Sequence, residues 1–239
     1  GYPSKETFID LAVSVMNNGA DMMEIGIPFS DPLADGKVIQ ASSQQALENG
    51  VTIKDVFNYC EKIKSKTDKP IVLMGYANPI IRYGVKDFCE NAVNCGATGL
   101  IVPDVPLDEY ESFFTNEFNE LEKILLTTPT SPDERIKEID IKSEGFVYCV
   151  SVTGTTGARD SFSADTINNI KRTYSIIKKN KMIIGFGISK PEHIKMFAPY
   201  CDGVIVASAL LKKINESVND YSLVEKYINS LSEACNIIS

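Results

Sequence analysis

Apolar residues along the chain recur in two alternating rhythms. From Ser4 to Asn18, Phe8, Leu11, Ala12, Val15 and Met16 fall at i, i+3, i+4, i+7 and i+8, one face of a helix that Ser4 can cap and Gly19 closes. A short apolar stretch, Met22 to Ile25, follows. The same grammar returns at Val85, Phe88, Cys89, Ala92 and Val93, with Gly96 closing the helix before Gly99-Leu100-Ile101-Val102, and both helix ends carry Asn-x-Gly-Ala. Further apolar runs stand at Ile71 to Gly75, Ile124 to Thr127, Phe146 to Val150, Met182 to Gly185 and Val204 to Val206, separated by amphipathic, charged segments. The pattern predicts seven strands alternating with helices.

Strands apolar on both faces, each followed by a helix, imply a parallel sheet covered by helices, either doubly wound or a (β/α)8 TIM barrel. The barrel is favoured: no G-x-G-x-x-G follows an early strand, the module count is near eight, and glycine turns follow the late strands, where barrels often hold phosphate. The count is one strand short, so the first barrel strand is expected to be missing from the chain, immediately before Gly1. Nothing along residues 1–239 reads as a linker, and one α/β barrel domain is expected.

Composition narrows the class. With 239 residues, 44% of them apolar and 23% charged, the chain is long enough for a self-sufficient core, and no apolar run reaches the roughly 18 residues of a membrane span. A net charge of −8 without a long basic cluster excludes a polynucleotide partner. Six cysteines without a C-x-x-C pair read as buried free thiols in a reducing, cytoplasmic setting. The single histidine, His193, rules out an imidazole-built metal site, and its polar neighbours predict a solvated ring.

Four features carry chemistry. Glu24 interrupts the apolar run Met22-Met23-Glu24-Ile25, and period-2 alternation places it opposite Met23 and Ile25. If that pair meets the helices, Glu24 points inward, where desolvation raises its pKa toward the range of proton transfer. A structural carboxylate satisfied by nearby donors is the alternative. The stretch Gly26 to Gly36 is a long loop with Asp31 and Asp35, and loops of this length are usually functional although each aspartate alone is ordinary turn chemistry. Ser151 to Gly157, Gly185 to Ser189, and Ala207-Ser208 form three late glycine or helix-start turns whose backbone N–H groups suit a phosphate. A phosphate anchor with an inward carboxylate suits enolisation or aldol-type cleavage of a sugar phosphate. Zinc-assisted chemistry lacks its histidines. A Schiff-base lysine is not placed either, because Lys123 and Lys181 stand at the N-terminal ends of their strands. Acid–base cleavage remains, with a departing carbon that can be protonated, such as that of an indole ring.

Met23-Glu24-Ile25-Gly26-Ile27-Pro28-Phe29-Ser30-Asp31-Pro32-Leu33-Ala34-Asp35-Gly36, with Ile39-Gln40, closely resembles the signature of the tryptophan synthase α subunit family. The likeness continues through Tyr76-Ala77-Asn78-Pro79, Pro103-Asp104-Val105-Pro106, Tyr148 with Ser151, Gly154-x-Thr156-Gly157, Gly185-Phe186-Gly187-Ile188-Ser189 and Asp202 to Ala209. The resemblance implies a lyase of tryptophan biosynthesis that cleaves indole-3-glycerol phosphate to indole and glyceraldehyde 3-phosphate. Glu24 then matches the general acid/base and Asp35 the carboxylate that stabilises positive charge on the indole nitrogen. Tyr148, Met74, Ile101 and Phe186 would line the indole pocket; Gly157, Gly187, Ala207 and Ser208 would hold the phosphate; Thr156 would position Asp35. The resemblance further implies a β-subunit partner in an α2β2 complex, met through Pro28, Asp31, Pro32 and Asn78. No cofactor is implied for this chain, pyridoxal phosphate belonging to the partner.

Lys37 stands where the family usually has proline, and Ala207 where it usually has glycine. Two other readings share the resemblance: a stand-alone indole-releasing lyase, and a non-catalytic α-like protein that binds and activates a β subunit.

Overall fold

A computed structural model describes residues 1–151, 162–185, 187–217 and 220–236. Among them are seven strands: β1 (Met23–Gly26), β2 (Ile71–Met74), β3 (Gly99–Ile101), β4 (Glu122–Thr127), β5 (Phe146–Val150), β6 (Lys181–Gly185) and β7 (Gly203–Val204). They follow one another in chain order, with helices between them. The backbone divides into two compact units, Gly1–Asp35 with Gln40–Lys123, and Gly36–Ile39 with Ile124–Ser239.

In the first unit β1 pairs with β2 and β2 with β3, all parallel, in the registers Glu24↔Val72↔Gly99 and Gly26↔Met74↔Ile101. Residues matched in register share a sheet face, so the two faces can be read directly. Ile25, Ile71, Leu73 and Leu100, with Met23 packed against them, join Val56, Phe57, Cys60 and Ile63 of the helix Ile53–Lys64 and Phe88, Cys89 and Ala92 of the helix Val85–Asn94 in one apolar core. Thr52 and Asp55 close the first of these helices with a reciprocal capping box. The first helix begins at Phe8 and not at Ser4, because residues 5–7 form a turn in which the Ser4 hydroxyl accepts the Thr7 N–H at 3.3 Å.

In the second unit β5 lies between β4 and β6, and β6 pairs with β7 through Ile183↔Gly203 and Ile184↔Val204. Asp140, buried at the end of the helix Asp133–Lys142, accepts the backbone N–H groups of Lys178, Lys179 and Asn180 at 2.6, 2.9 and 3.0 Å. Burial works to raise its carboxyl, but these donors outweigh it and hold Asp140 below the usual carboxylate range, which pins the turn leading into β6. His193 is 3% exposed, not solvated as its sequence neighbours suggest. The ring lies on the inner side of the helix Pro191–Phe197, edge-on to Phe162 at 5.0 Å between centroids.

Candidate active site

Glu24 lies on the face of β1 away from the apolar core, on the side shared by Val72, Met74 and Ile101. The alternation read from sequence is therefore the one the sheet adopts, and Met74 and Ile101 line up beside the carboxylate-bearing strand. The Glu24 side chain makes no hydrogen bond to any described residue. Burial, and then the charge of Asp35, push its carboxyl up to about 7. A carboxyl in that range holds or releases a proton at neutral pH, as a general acid/base must.

The loop after β1 is tied at both ends. Ile27 N–H donates to Met74 O at 2.7 Å. The Ser43 hydroxyl then donates to Phe29 O at 3.1 Å and accepts the Phe29 N–H at 3.0 Å. At the far end Asp35 is buried, its backbone carbonyl accepting Gln40 Nε2 at 2.9 Å. Burial raises the Asp35 carboxyl, and a hydrogen bond from Tyr76 works against the rise. Tyr76 stands immediately before the helix Ala77–Tyr83, and its ring packs on Phe29 with centroids 5.3 Å apart. The following Ala77 N–H donates to both oxygens of Asp104, at 3.0 and 3.2 Å.

Tyr76 and the anchoring contact of Asp104 are features that sequence reasoning passed over as functional. One signal could have found Tyr76: it stands just past the C-terminal end of β2, where barrels place working residues. Of the residues expected to meet a partner, Asp31 and Asn78 are exposed, Pro28 is half-buried and Pro32 is buried. Leu33, between the tethered ends of the loop, is 87% exposed.

Of the expected pocket and phosphate residues, Tyr148, Gly187, Ala207 and Ser208 are described in the second unit. Tyr148 is on the face of β5 shared with Leu126 and Ile183, and its ring reaches over Gly185 at the end of β6. A Cβ built on Gly185 would stand 2.1 Å from the Tyr148 hydroxyl oxygen, so that position has no room for a side chain while the ring stays in place. Gly187 has φ +86°, a left-handed conformation that only glycine adopts freely. Ala207 has φ −112° and caps the helix Ser208–Glu216, whose first residue, Ser208, is buried. The Cβ of Ala207 therefore brings no left-handed strain. Thr156, Gly157 and Phe186 lie outside the described residues.

Among the described residues no three His, Cys, Asp or Glu side chains cluster as metal ligands, and no helix is long and apolar enough to cross a membrane. The arrangement sets a carboxyl raised to about 7 on β1 and a second carboxyl, hydrogen-bonded by Tyr76, at the end of the loop that follows it.

The family model described as tryptophan synthase alpha chain matches residues 1–236. The tryptophan synthase alpha chain of Christiangramia forsetii is 43% identical over 219 residues, covering 91% of this chain and 86% of the relative. That of Petrotoga mobilis is 41% identical over 241 residues, covering 99% and 92%. Among solved structures, tryptophan synthase from M. tuberculosis superposes with a TM-score of 0.89 at 31% identity, covering 98% of this chain and 89% of that one. A chain of the tryptophan synthase α2β2 complex from the hyperthermophile Pyrococcus furiosus gives 0.88 at 37% identity, covering 96% and 93%. The fold class is the α/β barrel expected from the alternation of elements, with seven strands among the described residues.

Proposed function

The chain belongs to the tryptophan synthase alpha chain family, and from that premise we propose that it cleaves indole-3-glycerol phosphate to indole and glyceraldehyde 3-phosphate, with Glu24 as general acid/base. Its role is that of the α subunit, a lyase. The observation that carries the reading is the Glu24 carboxyl, set on the face of β1 away from the apolar core and pushed up to about 7.

In this mechanism protonated Glu24 delivers its proton to C3 of the indole ring, and positive charge develops on the ring nitrogen. Ionised Asp35 stabilises that charge. The Glu24 carboxylate then takes the proton of the glycerol hydroxyl on the carbon attached to C3, and the carbon–carbon bond breaks. Its electron pair returns to the ring, which leaves as indole, and the hydroxyl carbon becomes the aldehyde. Glu24 ends protonated as it began, so no net proton is consumed. Met74, Ile101, Tyr148 and Phe186 are assigned to the indole ring, and Gly157, Gly187, Ala207 and Ser208 to the phosphate. Thr156 is assigned to the positioning of Asp35.

The partner in this reading is a tryptophan synthase β subunit, as in the α2β2 neighbour, with pyridoxal phosphate on the β side and no cofactor assigned to this chain. Pro28, Asp31, Pro32 and Asn78 are the contact residues assigned, and exposed Leu33 lies among them.

Indole release from indole-3-glycerol phosphate, assayed with and without a β subunit, tests the proposal. Glu24→Gln keeps the shape of the side chain but cannot exchange a proton, and is expected to lower turnover by about 10²- to 10⁴-fold while substrate still binds. Retention of more than about a tenth of the activity would make Glu24 structural and the mechanism wrong.

A further inference from the structure

Ser189, two residues beyond Gly187, has both of its backbone polar groups held by side chains from two different helices. Its N–H donates to Nδ1 of buried His193 at 3.3 Å, and its C=O accepts the hydroxyl of Tyr227 at 3.0 Å. His193 belongs to the helix Pro191–Phe197 and Tyr227 to the helix Ser222–Asn236. Phe162 packs edge-on against both His193 and Phe197, with centroids 5.0 and 4.8 Å apart, and so fixes the imidazole plane. The turn thus has Gly187 at positive φ and a doubly anchored residue two positions later.

We infer that His193 and Tyr227 are positioning residues for the substrate's phosphate: by clamping Ser189 they set the direction of the backbone N–H groups of the Gly187 turn. The inference rests on the assignment of that turn to the phosphate. An anion site made of backbone N–H groups has no side chain to adjust, so its affinity depends on how firmly the backbone is preorganised. A left-handed glycine holds its conformation only as far as its surroundings dictate it. His193 suits the task because its Nδ1 accepts and must therefore be unprotonated, which assigns the neutral ring's proton to Nε2. Burial pushes the Tyr227 hydroxyl up to about 12, so it remains a donor throughout the working range.

The test compares His193→Leu, His193→Asn and Tyr227→Phe in the full chain, reading KM and kcat for indole release and inhibition by inorganic phosphate. Loss of one hydrogen bond at the clamp is expected to raise KM and the phosphate inhibition constant about three- to tenfold, with kcat nearly unchanged, because the phosphate lies away from the reacting bond. His193→Asn, which keeps an acceptor near the Nδ1 position, should recover most of the affinity. The chain has a single histidine, so one imidazole nitrogen spectrum of the wild-type protein reports directly whether Nδ1 is the unprotonated nitrogen. If His193→Leu lowers the melting temperature but leaves KM and phosphate inhibition unchanged, the clamp is merely structural and the inference falls. Should that variant not fold, unchanged phosphate inhibition in Tyr227→Phe overturns it equally. Wild-type protein that phosphate does not inhibit, with unmoved Gly187 and Ser189 amide resonances, would instead overturn the phosphate assignment itself, and the clamp with it.

Discussion

The Tyr76 hydroxyl donates to Asp35 Oδ2 at 2.8 Å and accepts the Ala34 N–H at 3.1 Å. A side chain just past the end of β2 thereby sets where the loop after β1 carries its carboxylate. The first bond favours ionised Asp35 and the second holds the loop backbone, so position and charge are fixed by one oxygen atom.

Tyr76→Phe should therefore raise the Asp35 pKa, since burial already pushes it up and the opposing hydrogen bond is lost. Asp35 would ionise later on the pH axis, moving the acid limb of kcat/KM to higher pH. On that acid limb a fall in kcat/KM of about tenfold is expected, the worth of a hydrogen bond to a charged group. A profile of unchanged shape would show that Tyr76 only packs against Phe29.

Much of this was legible in the chain. The alternation around Glu24 sets it opposite Met23 and Ile25, because a strand has period 2, and the apolar core that receives Ile25 and Met23 decides which face that is. The Tyr76–Asp35 bond was not legible, because it joins residues 41 positions apart and depends on how a loop folds back over a strand end. His193 misled for a related reason. Pro191, Glu192 and Lys195 are polar, yet a seven-residue helix has an inner face, and position 193 falls on it with Ile194 and Phe197.

Glu24 should weaken the fold as it ionises. Its carboxyl titrates near 4.5 when exposed and near 7 in the folded chain, so between those values the folded state binds more protons than the unfolded one. Stability contributed at this site is then full below about pH 4.5, falls as pH rises through 7, and stays low above it. Glu24→Gln mimics the protonated form and should be more stable than the parent at pH 8, by about 1 to 3 kcal/mol, with the difference closing by pH 4. Urea unfolding at the two pH values measures it. Equal stability at pH 8 would mean that the carboxyl is well solvated and its pKa ordinary.

Tyr148 and Gly185 should prove interdependent. Gly185→Ala places a methyl group 2.3 Å from two ring carbons of Tyr148, so the ring must swing away. Overpacking of this kind costs about 1 to 3 kcal/mol. If Tyr148 lines the indole pocket, KM should rise as well. Adding Tyr148→Ala removes the clash, so a double-mutant cycle on stability should show a coupling of about 1 kcal/mol or more. Additive effects would show that the ring accommodates the methyl group without displacement.

The two turn positions assigned to phosphate, Gly187 and Ala207, should respond to substitution in opposite ways, because their backbones differ in hand. Ala207, at φ −112°, is in a region open to any L-residue, so its Cβ costs the backbone nothing. Ala207→Gly should change phosphate affinity by no more than about tenfold, or roughly 1.4 kcal/mol, and the helix that begins at Ser208 should be little affected, since glycine is tolerated at a helix cap. Gly187, at φ +86°, is in the region where a Cβ meets the backbone, so Gly187→Ala carries a strain of about 1 to 2 kcal/mol whatever space surrounds it. The turn can relieve that strain by rotating its peptide groups, which would turn its N–H groups away from a bound anion. Gly187→Ala should then lose phosphate inhibition while the melting temperature falls by only a few degrees, a disproportion that simple destabilisation cannot produce. If Ala207→Gly proved the more damaging of the two, the anion would be held by the methyl-lined side of the helix start, and the role given to the Gly187 turn would have to be abandoned.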